Sequence, residues 1–178
     1  MKNKFLEIKK EFDDFDSSLL ADFRMVVRDT AKGIWGPANL EICYKLFKKI
    51  GLSKVGSFLD LGSGDGRVVL VASLFTEATG IEFDKDLVDM GIKIRDKLGL
   101  KADLIKGDFF EYDFSKYDVI FINPDNGFHK GLEDKLLKEM RPDARLYLYN
   151  NIFLPRFLKK GKTYRLGLSP VIVYRNKD

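Results

Sequence analysis

Hydrophobic and polar residues follow two alternating patterns along most of this chain. Short apolar runs, which predict buried strands, occur at 55–61, 78–83, 102–106, 117–122 and 144–149. Between them, apolar residues recur every three or four positions, which predicts helices at about 66–75, 87–98 and 129–141. Strands that alternate with helices indicate an α/β protein with a doubly wound, mostly parallel sheet.

The two ends of this pattern add further elements. A helix is predicted over 37–50, with Pro37 at its first position and Gly51 after its end. Two short strands at 163–168 and 171–175 predict a C-terminal antiparallel hairpin, which brings the sheet to seven strands. Alternation, crossovers and hairpin together predict a Rossmann-like sheet.

The first residues of the chain have a different pattern. Residues 4–29 are highly charged and predict one amphipathic helix, or two with a break near Asp16. We expect its apolar face to pack on the core, because its polar face is mixed in sign rather than basic as in membrane-binding helices. A turn is predicted at 32–37. We therefore expect a single domain over 1–178, with a helical extension at 1–33 and a core at 34–178.

Composition limits the class of protein. The chain is 45% hydrophobic and 33% charged, as in globular proteins. No apolar run approaches the roughly 18 residues of a membrane span, and no signal peptide is visible. Cys43 is the single cysteine, which excludes an intrachain disulfide and a cysteine-based metal site. We expect a cytoplasmic protein without a metal; the sequence does not indicate its oligomeric state.

The positive charge of the chain is concentrated near its end. The net charge is +4, yet residues 130–178 hold 12 Lys or Arg against 5 Asp or Glu. The basic cluster at 156–165 is suited to an acidic partner or RNA. It is equally a common way to keep an edge strand soluble. Both interpretations stay open.

A glycine-rich loop follows the strand at 55–61. Its sequence, Asp60-Leu-Gly62-Ser63-Gly64-Asp-Gly66-Arg67, leads directly into a helix. Glycines there permit a tight turn and a close approach of ligand to backbone, while the helix start directs N–H groups at that ligand. The third glycine lies one position earlier than in the dinucleotide fingerprint G-x-G-x-x-G, so a different nucleotide-like cofactor is indicated. The alternative is a tight turn that binds nothing.

Acidic residues follow the next two strands. Glu82, at the end of the second strand, is suited to accept hydrogen bonds from ribose hydroxyls. Asp108, after the third strand, is suited to an adenine amino group, and Phe109 to stack on its ring. The alternatives are a solvent-facing acid at Glu82 and a turn-forming one at Asp108. Trp35 either lines the same pocket or covers the core.

Asp60-x-Gly62-x-Gly64-x-Gly66, Glu82 and Asp108 resemble three successive motifs of class I S-adenosylmethionine-dependent methyltransferases. The terminal hairpin is also typical of that family. The resemblance implies S-adenosylmethionine as cofactor, with Gly62 and Gly64 against its methionine part, Asp60 near its amino group, Glu82 on its ribose, and Asp108 with Phe109 on its adenine. The full expected cofactor set is Trp35, Asp60, Gly62, Ser63, Gly64, Gly66, Glu82, Phe83, Asp108, Phe109 and Asn123.

A narrower resemblance concerns the methyl acceptor. The run Asp-Leu-Gly-Ser-Gly-Asp-Gly-Arg-Val-Val that begins at Asp60 is similar to small protein-lysine methyltransferases of archaea and their mitochondrial relatives. This implies a protein lysine as acceptor. The segment Asn123-Pro124-Asp125-Asn126 departs from that group. It shares only its first half with the Asn-Pro-Pro-aromatic motif of methyltransferases that act on adenine or glutamine.

Asn123 and Asp125 are the candidates for the chemistry itself. They follow the central strand, where an acceptor enters an open α/β sheet, and we expect them to position the acceptor amine. An Asn-Pro turn without catalytic meaning is the alternative. Three hypotheses for function follow: a protein-lysine methyltransferase, an RNA or small-molecule methyltransferase, and an inactive cofactor-binding subunit.

Overall fold

A computed structural model describes residues 1–21, 27–30, 33–128 and 131–176. The helices are α1 (Lys2–Ala21), α2 (Leu40–Ile50), α3 (Arg67–Ala72), α4 (Lys85–Lys97) and α5 (Leu132–Glu139). The strands are β1 (Arg28–Thr30), β2 (Gly33–Trp35), β3 (Ser57–Leu61), β4 (Glu77–Glu82), β5 (Asp103–Lys106), β6 (Val119–Ile122), β7 (Arg145–Tyr149), β8 (Lys159–Arg165) and β9 (Pro170–Arg175).

Seven of these strands form one twisted sheet. Its order is β5-β4-β3-β6-β7-β9-β8. The strands β3 to β7 pair in parallel, while β9 pairs antiparallel with both β7 and β8. The predicted doubly wound sheet with a terminal antiparallel hairpin is confirmed. Because β3 to β7 are parallel, the loops after their carboxyl ends meet at one edge of the sheet.

The sheet is covered on both faces. All four residues of β6, at the centre, are buried, as expected for a strand between two helical layers. One apolar cluster, which includes Phe47, Phe58 and Phe121, joins α1 to α4 to the first face. The other, around Ile120 and Leu136, packs α5 and the hairpin on the second face.

The N-terminal region differs from its prediction. Helix α1 runs without a break through Asp16, whose carboxylate pairs with Arg67 instead of capping a second helix. The prediction of helix as far as residue 29 is wrong at 28–30, and the predicted turn is wrong at 33–35, because these segments pair as the antiparallel hairpin β1–β2. Residues 22–26, which include the expected apolar positions Phe23 and Val26, lie outside the described residues.

Several element boundaries also shift. Helix α2 begins at Leu40 rather than Pro37, because the Asn39 side chain accepts hydrogen bonds from the Glu41 and Ile42 amides as an N-cap. Strand β8 begins at Lys159 rather than at 163, because a register shift between Lys160 and Thr163 lets it pair with β9 over a longer length. The predicted helix at 129–141 is observed at 132–139, with 129–130 outside the described residues. The division into an extension and a core stays a prediction.

Candidate functional site

A cavity of about 530 Å³ opens at the carboxyl edge of the parallel strands. The loops after β3, β4, β5 and β6 line it, and the β1–β2 hairpin contributes to its wall. All the sequence-predicted site residues except Gly66 lie in its lining: Trp35, Asp60, Gly62, Ser63, Gly64, Glu82, Phe83, Asp108, Phe109, Asn123 and Asp125. Gly66 instead begins α3 and faces Leu104 of β5.

The glycine loop is fixed to β4 and closely approached by an indole. The Gly62 and Ser63 amides both donate to the Ile81 carbonyl. Gly64 has φ +56°, and a Cβ there would lie 2.3 Å from Nε1 of Trp35. Any larger residue at position 64 would therefore displace Trp35. A Cβ at Gly62 would meet no described atom within 4 Å, so this glycine faces open space in the cavity lining.

Glu82 is held rigidly at the end of β4. One carboxylate oxygen accepts the Gly64 amide at 2.9 Å, and the other accepts the Asp84 amide at 2.8 Å. Each oxygen keeps a lone pair for a further donor. The carboxylate is thus oriented by the backbone and is able to accept from two neighbouring hydroxyls.

Asp60 is a buried carboxyl at the floor of the cavity. No hydrogen bond to its side chain occurs within the described residues. Burial, together with the charges of Glu82 and Asp65, raises the pKa of Asp60 well above its ordinary value. A buried, unpartnered carboxyl beside open space fits a ligand that carries a cationic group, such as the α-ammonium of a bound amino acid.

Asp108 and Phe109 lie at the other end of the cavity. The Asp108 side chain accepts from the Phe110 amide at 3.0 Å and begins a short 3₁₀ helix at 109–111. The rings of Phe109 and Phe110 lie 4.8 Å apart, and Phe110 is partly exposed. An aromatic pair beside an oxygen acceptor suits a planar ring that bears an amino group.

Arg67 is a site residue that the sequence analysis did not select. Its guanidinium lies between two carboxylates, with Asp65 at 2.7 Å and Asp16 of α1 at 2.8 Å. It also lies 4.8 Å from the Phe12 ring centroid. Although burial opposes its charge, the carboxylates of Asp65 and Asp16 raise the pKa of Arg67 above its ordinary value, so it remains charged. The available signal was a lone arginine at the start of an otherwise apolar helix.

The segment after β6 is connected to both neighbouring loops. The Asn123 Nδ2 donates to the Gly36 carbonyl at 3.3 Å, and its Oδ1 accepts from Asn150 at 2.9 Å. The Asp125 carboxylate accepts the Ile34 amide of β2 at 2.6 Å and the Asn126 amide group at 2.9 Å. Asn123 therefore faces the cavity from a fixed position, and Asp125 holds the β1–β2 hairpin.

Comparison with known proteins identifies the family. The model of the ANTKMT methyltransferase domain matches residues 60–150, which include most of the cavity lining. The chain belongs to the ANTKMT methyltransferase domain family. It is 32% identical over 115 residues to a protein-lysine N-methyltransferase of Saccharolobus islandicus, covering 62% of this chain and 71% of that protein. It is 33% identical over 112 residues to an ATP synthase lysine N-methyltransferase of Caenorhabditis elegans, covering 61% of this chain and 58% of the nematode protein.

Solved structures share the fold of this methyltransferase. An RNA methyltransferase from Salinibacter ruber in complex with S-adenosyl-L-homocysteine superposes with a TM-score of 0.64 at 23% identity, over 80% of this chain and 95% of the other. The predicted family, the enzyme class and S-adenosylmethionine as cofactor are confirmed. Among the described residues, no helix has the length and apolar composition needed to cross a membrane.

Proposed function

We propose that this chain methylates lysine side chains of proteins, with S-adenosylmethionine as methyl donor. The observation that carries the proposal is its similarity, at 32% and 33% identity, to two lysine N-methyltransferases. The open carboxyl edge supports it, because a protruding side chain reaches a cavity at that edge without a separate substrate domain. The cytoplasmic location expected from the sequence stays a prediction.

The cavity residues divide between the parts of the cofactor. Glu82 accepts from the ribose hydroxyls, Asp60 accepts from the amino group, and Asp108 with Phe109 binds the adenine. The remaining residues of the proposed binding set shape the loop and wall around it: Trp35, Gly62, Ser63, Gly64, Gly66, Phe83 and Asn123. The buried, unpartnered Asp60 and the backbone-oriented Glu82 support this assignment.

Asn123 and Asp125 position the acceptor. When bound, S-adenosylmethionine supplies a methyl group that is already activated on a sulfonium. The protein therefore needs only to align a neutral amine for in-line attack. Desolvation in the cavity lowers the pKa of an entering ammonium. The Asn123 carbonyl oxygen accepts from the amine without adding a charge that would hold its proton, while the Asp125 carboxylate attracts the cation to the mouth.

RNA is the less favoured acceptor. The basic cluster at 156–165 lies largely on β8, the outermost strand of the sheet, and none of its residues lines the cavity. Lysines on an edge strand protect it from pairing with other chains, which accounts for the cluster without a nucleic acid. The similarity to an RNA methyltransferase at 23% identity shows the fold alone.

Methyl transfer into a cell extract tests the proposal. Labelled S-adenosylmethionine and the purified protein are added, and the product is treated with protease or with ribonuclease. We expect label that only protease removes. Label that only ribonuclease removes would overturn the lysine assignment, and a bound cofactor without label in either fraction would indicate a small-molecule acceptor or an inactive subunit.

A matched pair of variants shows that the label comes from this site. Glu82→Ala removes the proposed ribose acceptor at the end of β4 and should abolish labelling. Glu77→Ala makes the same change at the exposed start of that strand and should leave labelling unchanged.

A further inference from the structure

Asn150 has an unusual backbone conformation next to the proposed acceptor site. It follows β7 directly, with φ +77°, and is the one non-glycine residue with positive φ in the part of the chain that the structure describes. Its amide donates to the Pro170 carbonyl at 2.8 Å, which fixes the backbone there. Unusual backbone conformations of this kind often serve a functional geometry.

The Asn150 side chain connects two loops in a defined direction. Its Oδ1 accepts the Ile152 amide at 2.9 Å, so its Nδ2 must point the other way. That Nδ2 donates to Oδ1 of Asn123 at 2.9 Å. The contact between the two side chains therefore has a fixed polarity, set by a backbone N–H that only donates.

A second backbone group sets the same polarity from the far side. Nδ2 of Asn123 donates to the Gly36 carbonyl, which only accepts. The chain of bonds from Ile152 through Asn150 and Asn123 to Gly36 thus admits one orientation of each amide. Asn123 lines the cavity whereas Asn150 does not. The second lone pair of the Asn123 oxygen remains for a donor in the cavity.

We infer that Asn150 is a positioning residue for methyl transfer, which fixes the Asn123 amide so that its oxygen, rather than its NH₂ group, meets the acceptor amine. This inference rests on the proposed function, because it gives Asn123 the acceptor-positioning role. Asn150 acts through Asn123 and contacts neither reactant. An NH₂ group facing the amine would repel its N–H groups and misplace the nitrogen.

Two substitutions at position 150 separate this role from a structural one. Asn150→Gly allows the positive φ and removes the amide. Asn150→Asp keeps the shape and the acceptor for Ile152 but offers Asn123 a carboxylate oxygen, which favours the opposite orientation of its amide. Asn176→Asp, at a residue whose Nδ2 donates to the Leu137 and Met140 carbonyls, is the matched amide-to-acid control.

The measurements are kcat and KM for a protein acceptor, affinity for S-adenosylhomocysteine, and Tm. We expect both Asn150 variants to bind S-adenosylhomocysteine within about twofold of the wild type while kcat falls about tenfold or more. We also expect kcat of Asn150→Asp to be no higher than that of Asn150→Gly, although it is the closer structural match. Wild-type kcat in either variant, or losses that simply follow Tm, would overturn the inference.

Asn123→Ala distinguishes this failure from failure of the proposed function. If the wild type methylates no lysine, the proposed function fails and the inference fails with it. If Asn123→Ala methylates lysine at the wild-type rate, the lysine assignment stands but the inference is overturned. Loss of kcat in Asn123→Ala together with unchanged Asn150 variants overturns the inference alone.

Discussion

Asp60 shows how burial prepares a single residue for a charged ligand. A carboxyl in this position has lost its hydration and has gained no hydrogen bond within the described residues. Its raised pKa means that the free protein holds a proton there to higher pH than an unfolded chain does. The stabilisation from this proton is complete below the ordinary pKa of Asp and is lost as pH rises through the raised value. A bound ammonium favours the ionised carboxylate instead.

Cofactor binding should therefore be linked to proton release. We expect affinity for S-adenosylhomocysteine to rise with pH through the raised pKa of Asp60, by up to about tenfold per pH unit. Calorimetry in buffers of different ionisation enthalpy measures the released proton. Asp60→Asn should weaken binding and remove this pH dependence. Wild-type affinity in that variant would contradict the assigned role of Asp60.

At the scale of elements, the β1–β2 hairpin is attached to the sheet at a very close contact. A Cβ at Gly33 would lie 1.7 Å from the Asp125 Oδ2, and the φ of +152° is itself unfavourable for other residues. The same carboxylate accepts the Ile34 amide, and Trp35 follows against Gly64. The position of this cavity wall thus depends on a glycine and an aspartate 92 residues apart in the chain.

Gly33→Ala should displace the hairpin and its tryptophan. We expect affinity for S-adenosylhomocysteine to fall about tenfold or more, because Trp35 no longer closes over the glycine loop. Gly99→Ala is the control, since Gly99 also has positive φ but faces no described atom within 4 Å. It should lower Tm without changing affinity. Equal affinity in the two variants would contradict the role of the hairpin.

Helix α1 is attached to the glycine loop through Arg67. Asp16 of α1 makes two of the hydrogen bonds to this buried guanidinium, and Asp65 of the loop makes the others. Removing one partner of a buried ionic group is destabilising, because the remaining charge is left uncompensated. The leading helix is therefore connected directly to the cofactor loop.

Asp16→Asn should lower the free energy of unfolding by about 1–3 kcal/mol, as expected for hydrogen bonds to a charged group. Asp14→Asn removes an exposed pair with Lys10 on the same helix and should change it by less than about 0.5 kcal/mol. Urea denaturation of both variants measures the difference. The same loss in both would show that the buried contact with Arg67 contributes no more than a surface pair.

At the scale of the whole molecule, the sequence predicted what depends on local pattern. Apolar runs, the glycine loop and the acids after β4 and β5 are contiguous signals, and they led to the sheet order and to most of the cavity lining. The β1–β2 hairpin was missed because its residues are few and are held by Asp125, far along the chain. The Asp16–Arg67 pair was missed for the same reason: its two residues meet only in the folded protein.

The central claim is that the methyl group arrives on lysine nitrogen. The most direct measurement is the chemical identity of the methylated product: protein labelled by the purified enzyme is hydrolysed completely and its amino acids are separated. We predict label in N-methylated lysine, and no such label with Asn123→Ala. Label in another methylated amino acid, in a base-labile methyl ester, or in nucleotides would contradict the account.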